Sequence, residues 1–158
     1  MNFLTEHGIS SYGELESKLT AVSARRDTAH AEIKRIESRS AELILVMKHA
    51  GIYRQLKPLY ERYRKSNDKE KFLRGHESEI ILFEAAAREL KRLEAVPLPT
   101  TESIKAELAN LNAEKERLLA EYKAARTEAQ EYETVKQNVD ALLTVPKEQE
   151  QQRRHELE

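Results

Sequence analysis

A long, regular spacing of apolar residues constrains the fold of this chain more than any other feature. Between residues 15 and 50, positions separated alternately by four and three residues are apolar at nine of eleven places. A 3.5-residue repeat sustained over five heptads predicts a coiled-coil helix. Ser11 and Glu14 have the spacing of a capping box, so we place the first helix at 10–50, ending at Gly51. The positions are Leu15, Leu19, Val22, Arg26, Ala29, Ile33, Ile36, Ser40, Leu43, Met47 and Ala50.

A second run with the same spacing follows the Val96-Pro97-Leu98-Pro99 segment. Thr100 or Thr101 is suited to cap it, which predicts a second coiled-coil helix over 100–145. Val145-Pro146 predicts its end, because proline disfavours a helical conformation in the residue before it. Residues 146–158 lack an apolar face and are expected to form a frayed, charged tail. The seam is Ile104, Leu108, Leu111, Lys115, Leu118, Tyr122, Ala125, Ala129, Tyr132, Lys136, Val139 and Leu143.

Two seams of matching length predict an all-α fold, a long antiparallel helical hairpin with a small helical head at its tip. The composition agrees, with 35% charged residues, 4 Gly and 4 Pro, which is typical of long helices. One register pairs residues whose numbers total 158, such as Leu19 with Val139, and its main rival is shifted by seven residues. Polar residues at Arg26, Ser40 and Lys115 are expected to help select the register. Five heptads also suit a dimer, so the sequence leaves a hairpin and a dimer both open.

Residues 51–99 are predicted to form the helical head. Pro58 is expected to break or kink its first helix, which begins near Ile52. Ser66 or Asn67 is suited to cap a short helix that ends at Gly75. A further helix over 77–93 is then expected to bury Ile80, Ile81, Phe83, Leu90 and Leu93.

The first nine residues resemble the end of an upstream helix or a linker. Gly8 followed by Ile9 has the pattern of a helix C-cap, in which the apolar residue folds back onto the last turn. Leu157-Glu158 is consistent with the remnant of a tag. We therefore expect the chain to be a fragment of a longer protein.

Positive charge is concentrated in one segment of a chain whose net charge is −1. Nine Lys or Arg residues and three acids lie between Lys48 and His76, an excess of +6 that leaves −7 elsewhere. Such a segment is suited to follow nucleic-acid phosphates, with Tyr60, Tyr63 and Phe72 able to stack on bases. Alternatively, the aromatic rings pack inside the head and the cations form a solvated face. The candidate DNA-binding residues are Arg54, Lys57, Arg62, Arg64, Lys65, Lys69, Lys71 and Arg74.

Patterns of catalytic or metal-binding chemistry are missing from the sequence. The chain has no cysteine, its five histidines are scattered, and its glycines stand alone, so we expect no metal, no cofactor and no enzyme activity. Tyr122 and Tyr132 fall on the seam, where packing explains them better than nucleophilic catalysis. No apolar run is long enough to cross a bilayer. We expect no membrane association, no small-molecule substrate, and a cytoplasmic location.

Several stretches resemble the region that follows the nuclease domain in relaxases of mobilisable and conjugative elements of Gram-positive bacteria. They are GISSYGELESKL, KPLYERYRKSNDKEKFLRGHESEIILFEAAARELKRL, LPTTESIKAELANLNAEKERLLAEYKAAR and VKQNVDALL. The resemblance implies a parent protein that nicks DNA with a tyrosine and a histidine-bound metal. Those catalytic motifs are not in this sequence. The resemblance also implies a continuous helix through the region of Pro58, and this proline departs from that pattern.

The resemblance predicts a non-catalytic scaffold within such a relaxase. Its contacts would be with DNA through the head, with a transfer-machinery protein, or with a second copy. The alternative is a structural coiled-coil module for protein association or oligomerisation, without any nucleic-acid role.

Overall fold

The computed structural model confirms the all-α prediction. It describes the backbone of residues 6, 7, 9 and 11–157, and side chains within that part as far as residue 143. Three long helices account for most of it: α1, Tyr12–Lys65; α2, Lys69–Arg92; and α3, Thr101–Leu157. The described residues contain no strand. The chain divides into a terminal unit, Met1–Ile33 with Glu116–Glu158, and a central unit, Lys34–Lys115.

The helix starts follow the capping signals in two cases out of three. Ser11 Oγ accepts a hydrogen bond from the Glu14 amide at 3.2 Å, and Thr100 Oγ1 accepts one from the Ser103 amide at 3.0 Å. Both pairs satisfy amides that the helix itself leaves without a partner. At α2, the prediction of Ser66 or Asn67 is wrong. The cap is Asp68, whose carboxylate accepts from the Lys71 amide at 3.1 Å.

α1 is longer than the sequence predicts. It passes through both Gly51 and Pro58 and ends at Lys65, so the predicted end at Gly51 and break at Pro58 are wrong. A proline inside a helix removes the hydrogen bond to the carbonyl four residues earlier, here that of Arg54. Arg54 and Pro58 are both exposed, so solvent can satisfy that carbonyl.

α3 also continues past its predicted end. The helix extends through Pro146 to Leu157, so the predicted stop at Val145-Pro146 and the frayed tail over 146–158 are corrected. The steric restriction before a proline is a bias against helix, which a helix with many turns behind it can overcome.

The predicted break near Gly75 is a kink inside α2. His76 departs from helical geometry, with φ −136° and ψ 25°, while the helix continues to Arg92. The helix ends with Glu94 in the left-handed conformation, φ 57°, and the Ala95 amide donates to the Leu90 carbonyl at 2.9 Å. This is the Schellman arrangement, here without the usual glycine.

In the terminal unit, α1 and α3 pack antiparallel around a small apolar core. Its buried members are Ile9, Leu15, Val22, Ala125, Ala129 and Tyr132. Ile9 therefore contributes to the core, while the predicted cap at Gly8 lies outside the described residues. The Lys18 amine donates to the His7 carbonyl, and the rings of His7 and Tyr132 meet edge to face.

The contacts of the terminal unit correct the predicted register. Tyr12 bonds to Asp140, Lys136 pairs with Glu16, and Arg25 pairs with Glu128. The numbers of the paired residues total 152 or 153, which is close to the rival register shifted by seven residues and away from 158. A shift of one heptad keeps the same apolar positions on the seam, so periodicity alone cannot separate the two registers.

The central unit packs α2 and the first turns of α3 against the second half of α1. Its buried side chains include Ile36, Leu43, Val46 and Ala50 of α1, Ile80, Phe83, Ala86 and Leu90 of α2, and Ile104 and Leu111 of α3. Ile81 was predicted to be buried but is 54% exposed. A 100° rotation per residue places Ile81 away from the face that carries Ile80 and Phe83.

Ion pairs fix α1 against α3 within the central unit. Arg39 Nε donates to Glu107 at 3.0 Å, and Lys115 lies 3.4 Å from Glu37. The hydrogen bond from Lys115 lowers the pKa of the Glu37 carboxyl. The register whose paired numbers total 158 would place Lys115 against Leu43, whereas the structure pairs its amine with the Glu37 carboxylate.

Removal of the Asp140 carboxylate should shift the ionisation of Tyr12. The phenol donates to Asp140 Oδ1 at 2.7 Å, and this bond raises the pKa of Tyr12 to about 12 from 10.0. In Asp140→Ala, we expect the Tyr12 pKa to fall back toward 10, as measured by NMR titration of labelled tyrosine with Tyr12→Phe for assignment.

The same bond gives a pH dependence with a defined sign. Because the folded-state pKa is raised, the stabilisation is complete below pH 10 and is lost as the pH rises from 10 to about 12. An unchanged Tyr12 pKa in Asp140→Ala would contradict the contact.

Candidate nucleic-acid interface

Five of the eight predicted DNA-binding residues lie around the turn between α1 and α2. We call Arg62, Arg64, Lys65, Lys69 and Lys71 the basic turn. The first three occupy the last turn of α1, and the other two begin α2. All five are exposed. With Asp68 and Glu70 included, residues 62–71 carry a net charge of +3.

Aromatic rings beneath the basic turn pack on one another. Phe83 of α2 stacks on Tyr60 at 4.3 Å and on Tyr53 at 4.8 Å between ring centroids. Tyr63 contacts both Tyr60 and Phe72. Helical spacing on α1 brings these tyrosines to the side that meets α2. The rings therefore join α1 to α2, which favours the packing interpretation over base stacking for Tyr60, Tyr63 and Phe72.

The cations of the basic turn make no ion pair within the described part of the chain. Elsewhere, Arg25, Arg39 and Lys115 each lie against a carboxylate of the facing helix. In the turn, Arg62 lies over the Phe72 ring, with Cζ 5.7 Å from its centroid. That contact positions the guanidinium and leaves its charge uncompensated.

The helix dipole accounts for only three of the five cations in the basic turn. Cations in the last turn of a helix are favourable, which accounts for Arg62, Arg64 and Lys65. Lys69 and Lys71 stand in the first turn of α2, where a cation is unfavourable by about 0.3–1 kcal/mol. These two lysines therefore act against the stability of α2.

The other three predicted residues are placed differently. Arg54 donates to Thr101 Oγ1 at 3.3 Å and to the Pro99 carbonyl, so it holds the start of α3. Lys57 Nζ lies 5.9 Å from the Tyr53 ring centroid. Arg74 Nε donates to the Glu70 carbonyl at 3.4 Å, one turn into α2. Of these three residues, Arg54 is the one that is hydrogen-bonded to another helix and to the segment before it.

The structure adds two cations that the sequence analysis did not single out. Arg88 and Lys91 lie on α2 beside Lys57, around grooves that α1 and α2 form together. They fall outside the basic segment along the chain, and only the packing of α2 on α1 brings them near it. The available sequence signal was helical spacing. Arg88 lies four residues after Glu84, and Lys91 lies four residues after Ala87, which places each pair on one face of α2.

The tyrosines of the seam have structural surroundings. Tyr132 is buried, which raises the pKa of its phenol. Tyr122 contacts the His30 ring, with centroids 5.7 Å apart. Both residues pack between α1 and α3, as the sequence analysis predicted.

The residues that the structure describes form neither a candidate metal site nor a candidate membrane span. Among them, no three His, Asp or Glu side chains are grouped so as to hold a metal ion. None of their helices combines the length and apolar character needed to span a membrane. Comparison of the sequence with protein-family models, curated proteins and solved structures gives no match.

Proposed function

We propose that this chain is a non-catalytic helical region of a DNA relaxase from a mobilisation system, and that its basic turn contacts nucleic-acid phosphates. The observation that carries the phosphate contact is the set of exposed cations at the α1–α2 turn that no described carboxylate pairs. The relaxase parentage rests on the sequence resemblance. A histidine cluster and a tyrosine motif encoded upstream of Met1 would support it, and their absence there would argue against it.

The position of Lys69 and Lys71 is a second argument for the phosphate contact. Cations that oppose the dipole of their own helix reduce its stability, so a role outside the helix accounts for them better than folding does. The turn therefore presents a cationic surface suited to a sugar-phosphate backbone.

Charge reversal at the turn should weaken oligonucleotide binding. We expect the wild-type protein to bind single-stranded and duplex DNA in fluorescence anisotropy. For three to five phosphate contacts, affinity between about 50 and 200 mM salt should fall roughly 40- to 500-fold for duplex DNA and roughly 20- to 130-fold for single strands. Arg64→Glu/Lys69→Glu/Lys71→Glu should weaken binding at the lower salt by at least about 10-fold, since three contacts become repulsive.

A matched control reverses three exposed cations elsewhere. Lys105→Glu/Lys123→Glu/Arg126→Glu makes the same change in net charge on α3, and none of these three side chains is ion-paired in the described structure. Binding should survive in this control. Equal losses in both triple variants would assign the effect to net charge, and an absence of wild-type binding at low salt would reject the phosphate contact.

A second function, protein association without nucleic acid, is favoured by exposed apolar side chains. Ile81 and Leu82 of α2 are 54% and 48% exposed, and Ile44 and Leu45 of α1 are 54% and 40% exposed. Under this alternative, oligonucleotides should not bind, and analytical ultracentrifugation should show a mass that rises with protein concentration. Loss of that association in Ile81→Lys/Leu82→Lys would assign it to α2.

A further inference from the structure

A groove on the central unit lies away from the basic turn. α1, α2 and the segment after α2 enclose a volume of about 490 Å³, lined by Tyr53, Lys57, Ala87, Leu90, Lys91, Val96 and Leu98. A second groove of about 400 Å³ adjoins it and shares Tyr53, Lys57 and Ala87. Volumes of this size accommodate one or two large side chains or a small ligand.

The groove combines an apolar lining with a cationic rim. Leu90 is 2% exposed and forms part of its floor, whereas Val96 at its edge is 69% exposed. Such exposure of a valine beside an apolar depression leaves apolar surface in contact with water, and an occupant would cover it. The Tyr53 ring is held in place by stacking on Phe83, so this wall exists before any occupant arrives.

The charges at the rim select the chemistry of that occupant. Neither Lys57 nor Lys91 makes an ion pair in the described part of the chain, and both border the apolar groove. Arg64 and Arg88 line the adjoining groove, together with Glu61 and Glu84. Taken together, four cations and two carboxylates surround the two grooves, so an acidic occupant is complementary.

We infer that this groove binds an acidic, amphipathic segment of a partner protein, with apolar side chains against Leu90 and Val96 and carboxylates beside Lys57 and Lys91. A segment fits better than a folded surface, because the depression is narrow enough for one or two anchoring side chains. A nucleic-acid base fits less well, since Tyr53 is the one aromatic ring in the lining of this groove and its other uncharged residues are aliphatic. This inference is independent of the phosphate contact at the basic turn.

The probe is a short fluorescein-labelled peptide in which a Leu-Phe pair stands among Asp and Glu residues. Two control peptides replace the pair by Ser-Ser or the acids by Lys. The full chain should bind the first peptide and discriminate against both controls by at least about 10-fold, since both apolar burial and charge contribute. Binding should be unchanged by Lys69→Glu/Lys71→Glu, because neither of these lysines lines either groove.

Two substitutions test the site itself. Lys91→Glu removes a rim cation, and Val96→Asp places a carboxylate at the apolar edge. Each should weaken peptide binding by at least about 10-fold, with helix content unchanged by circular dichroism because both side chains are exposed. Lys105→Glu, an exposed lysine of α3, is the matched control and should bind as the wild type does.

The outcomes separate the possible occupants. No peptide binding up to about 1 mM, or equal binding by all three peptides, would overturn the inference. Loss of oligonucleotide binding in Lys91→Glu and Val96→Asp without loss of peptide binding would assign the groove to nucleic acid. Self-association that Val96→Asp abolishes would assign it to a second copy. If the basic turn does not bind oligonucleotides, the peptide experiment can still be interpreted, because it uses a different probe and its own variants, Lys91→Glu and Val96→Asp.

Discussion

Phe83→Ala should lower the free energy of unfolding by about 3–5 kcal/mol, the range for removal of a buried phenylalanine. Phe83 is 6% exposed and stacks on both Tyr53 and Tyr60, so the variant loses apolar burial and two aromatic contacts and leaves a cavity. Alanine is a better helix former by about 0.5 kcal/mol, which offsets a small part of the loss. Urea denaturation followed by circular dichroism measures the difference.

The same substitution should affect the basic turn. Phe83 is the α2 ring through which Tyr53 and Tyr60 of α1 contact that helix, and a loosened α1–α2 packing would misplace the cations of the turn. Under the proposed phosphate contact, oligonucleotide affinity should therefore fall along with stability. The control is Leu82→Ala, one residue earlier and 48% exposed, which should change the unfolding free energy by no more than about 1 kcal/mol. A similar loss in both variants would contradict the packing described for Phe83.

Ile36→Ala should cost about 2–5 kcal/mol of unfolding free energy, the range for a buried isoleucine. Ile36 has no exposed surface, and it is among the largest fully buried side chains of the protein. It lies on the seam between two positions, Arg35 and Glu37, whose side chains pair with α3. Because Ile36 has no exposed surface, its replacement leaves a cavity in the core, whose cost adds to the loss of apolar burial.

Ile44 provides the matched control for that experiment. It lies on the same helix eight residues later and is 54% exposed, so Ile44→Ala makes the same chemical change with the same gain in helix propensity. The difference between the two variants isolates the contribution of burial. Thermal unfolding of the two variants side by side should show a clearly lower midpoint for Ile36→Ala, and equal midpoints would show that Ile36 is not in the core.

Most of the predicted seam is confirmed because periodicity is a property of the chain itself. Leu15, Val22, Ile33, Ile36 and Leu43 are all buried, as their 4,3 spacing predicts. One buried residue of α1 lies off the predicted seam. Val46 is buried although it lies off the predicted seam, since a helix with 3.6 residues per turn drifts from a 3.5-residue repeat.

Helix ends were harder to predict than helix faces. Ser11 and Thr100 act as caps through their own side chains, which sequence alone can indicate. Pro58 did not end α1. Tyr53 before it and Tyr60 after it both stack on Phe83 of α2, and this packing outweighs the loss of one backbone hydrogen bond. Glu94 ends α2 in a left-handed conformation that nothing in its residue type predicts.

The candidate site was predicted only as a set of charges. The sequence located the basic segment, and the structure divides it: Arg54 is hydrogen-bonded to the Pro99 carbonyl and to Thr101, whereas Lys69 and Lys71 are exposed at the turn. A count of charges cannot distinguish these positions, because the partner of Arg54 lies 45 residues away in the chain.

The sequence by itself determined the helical class, the apolar faces of α1 and α3, and the location of the positive charge, because each depends on residues close together in the chain. Only the tertiary structure decided the register of α1 against α3, the stacking of Tyr53 and Tyr60 on Phe83, and the groove beside Val96. Those features depend on which turns of two helices come into contact. A heptad shift leaves every apolar position on the same face, so the choice falls to side chains that meet across the helices, such as Tyr12 with Asp140 and Arg39 with Glu107.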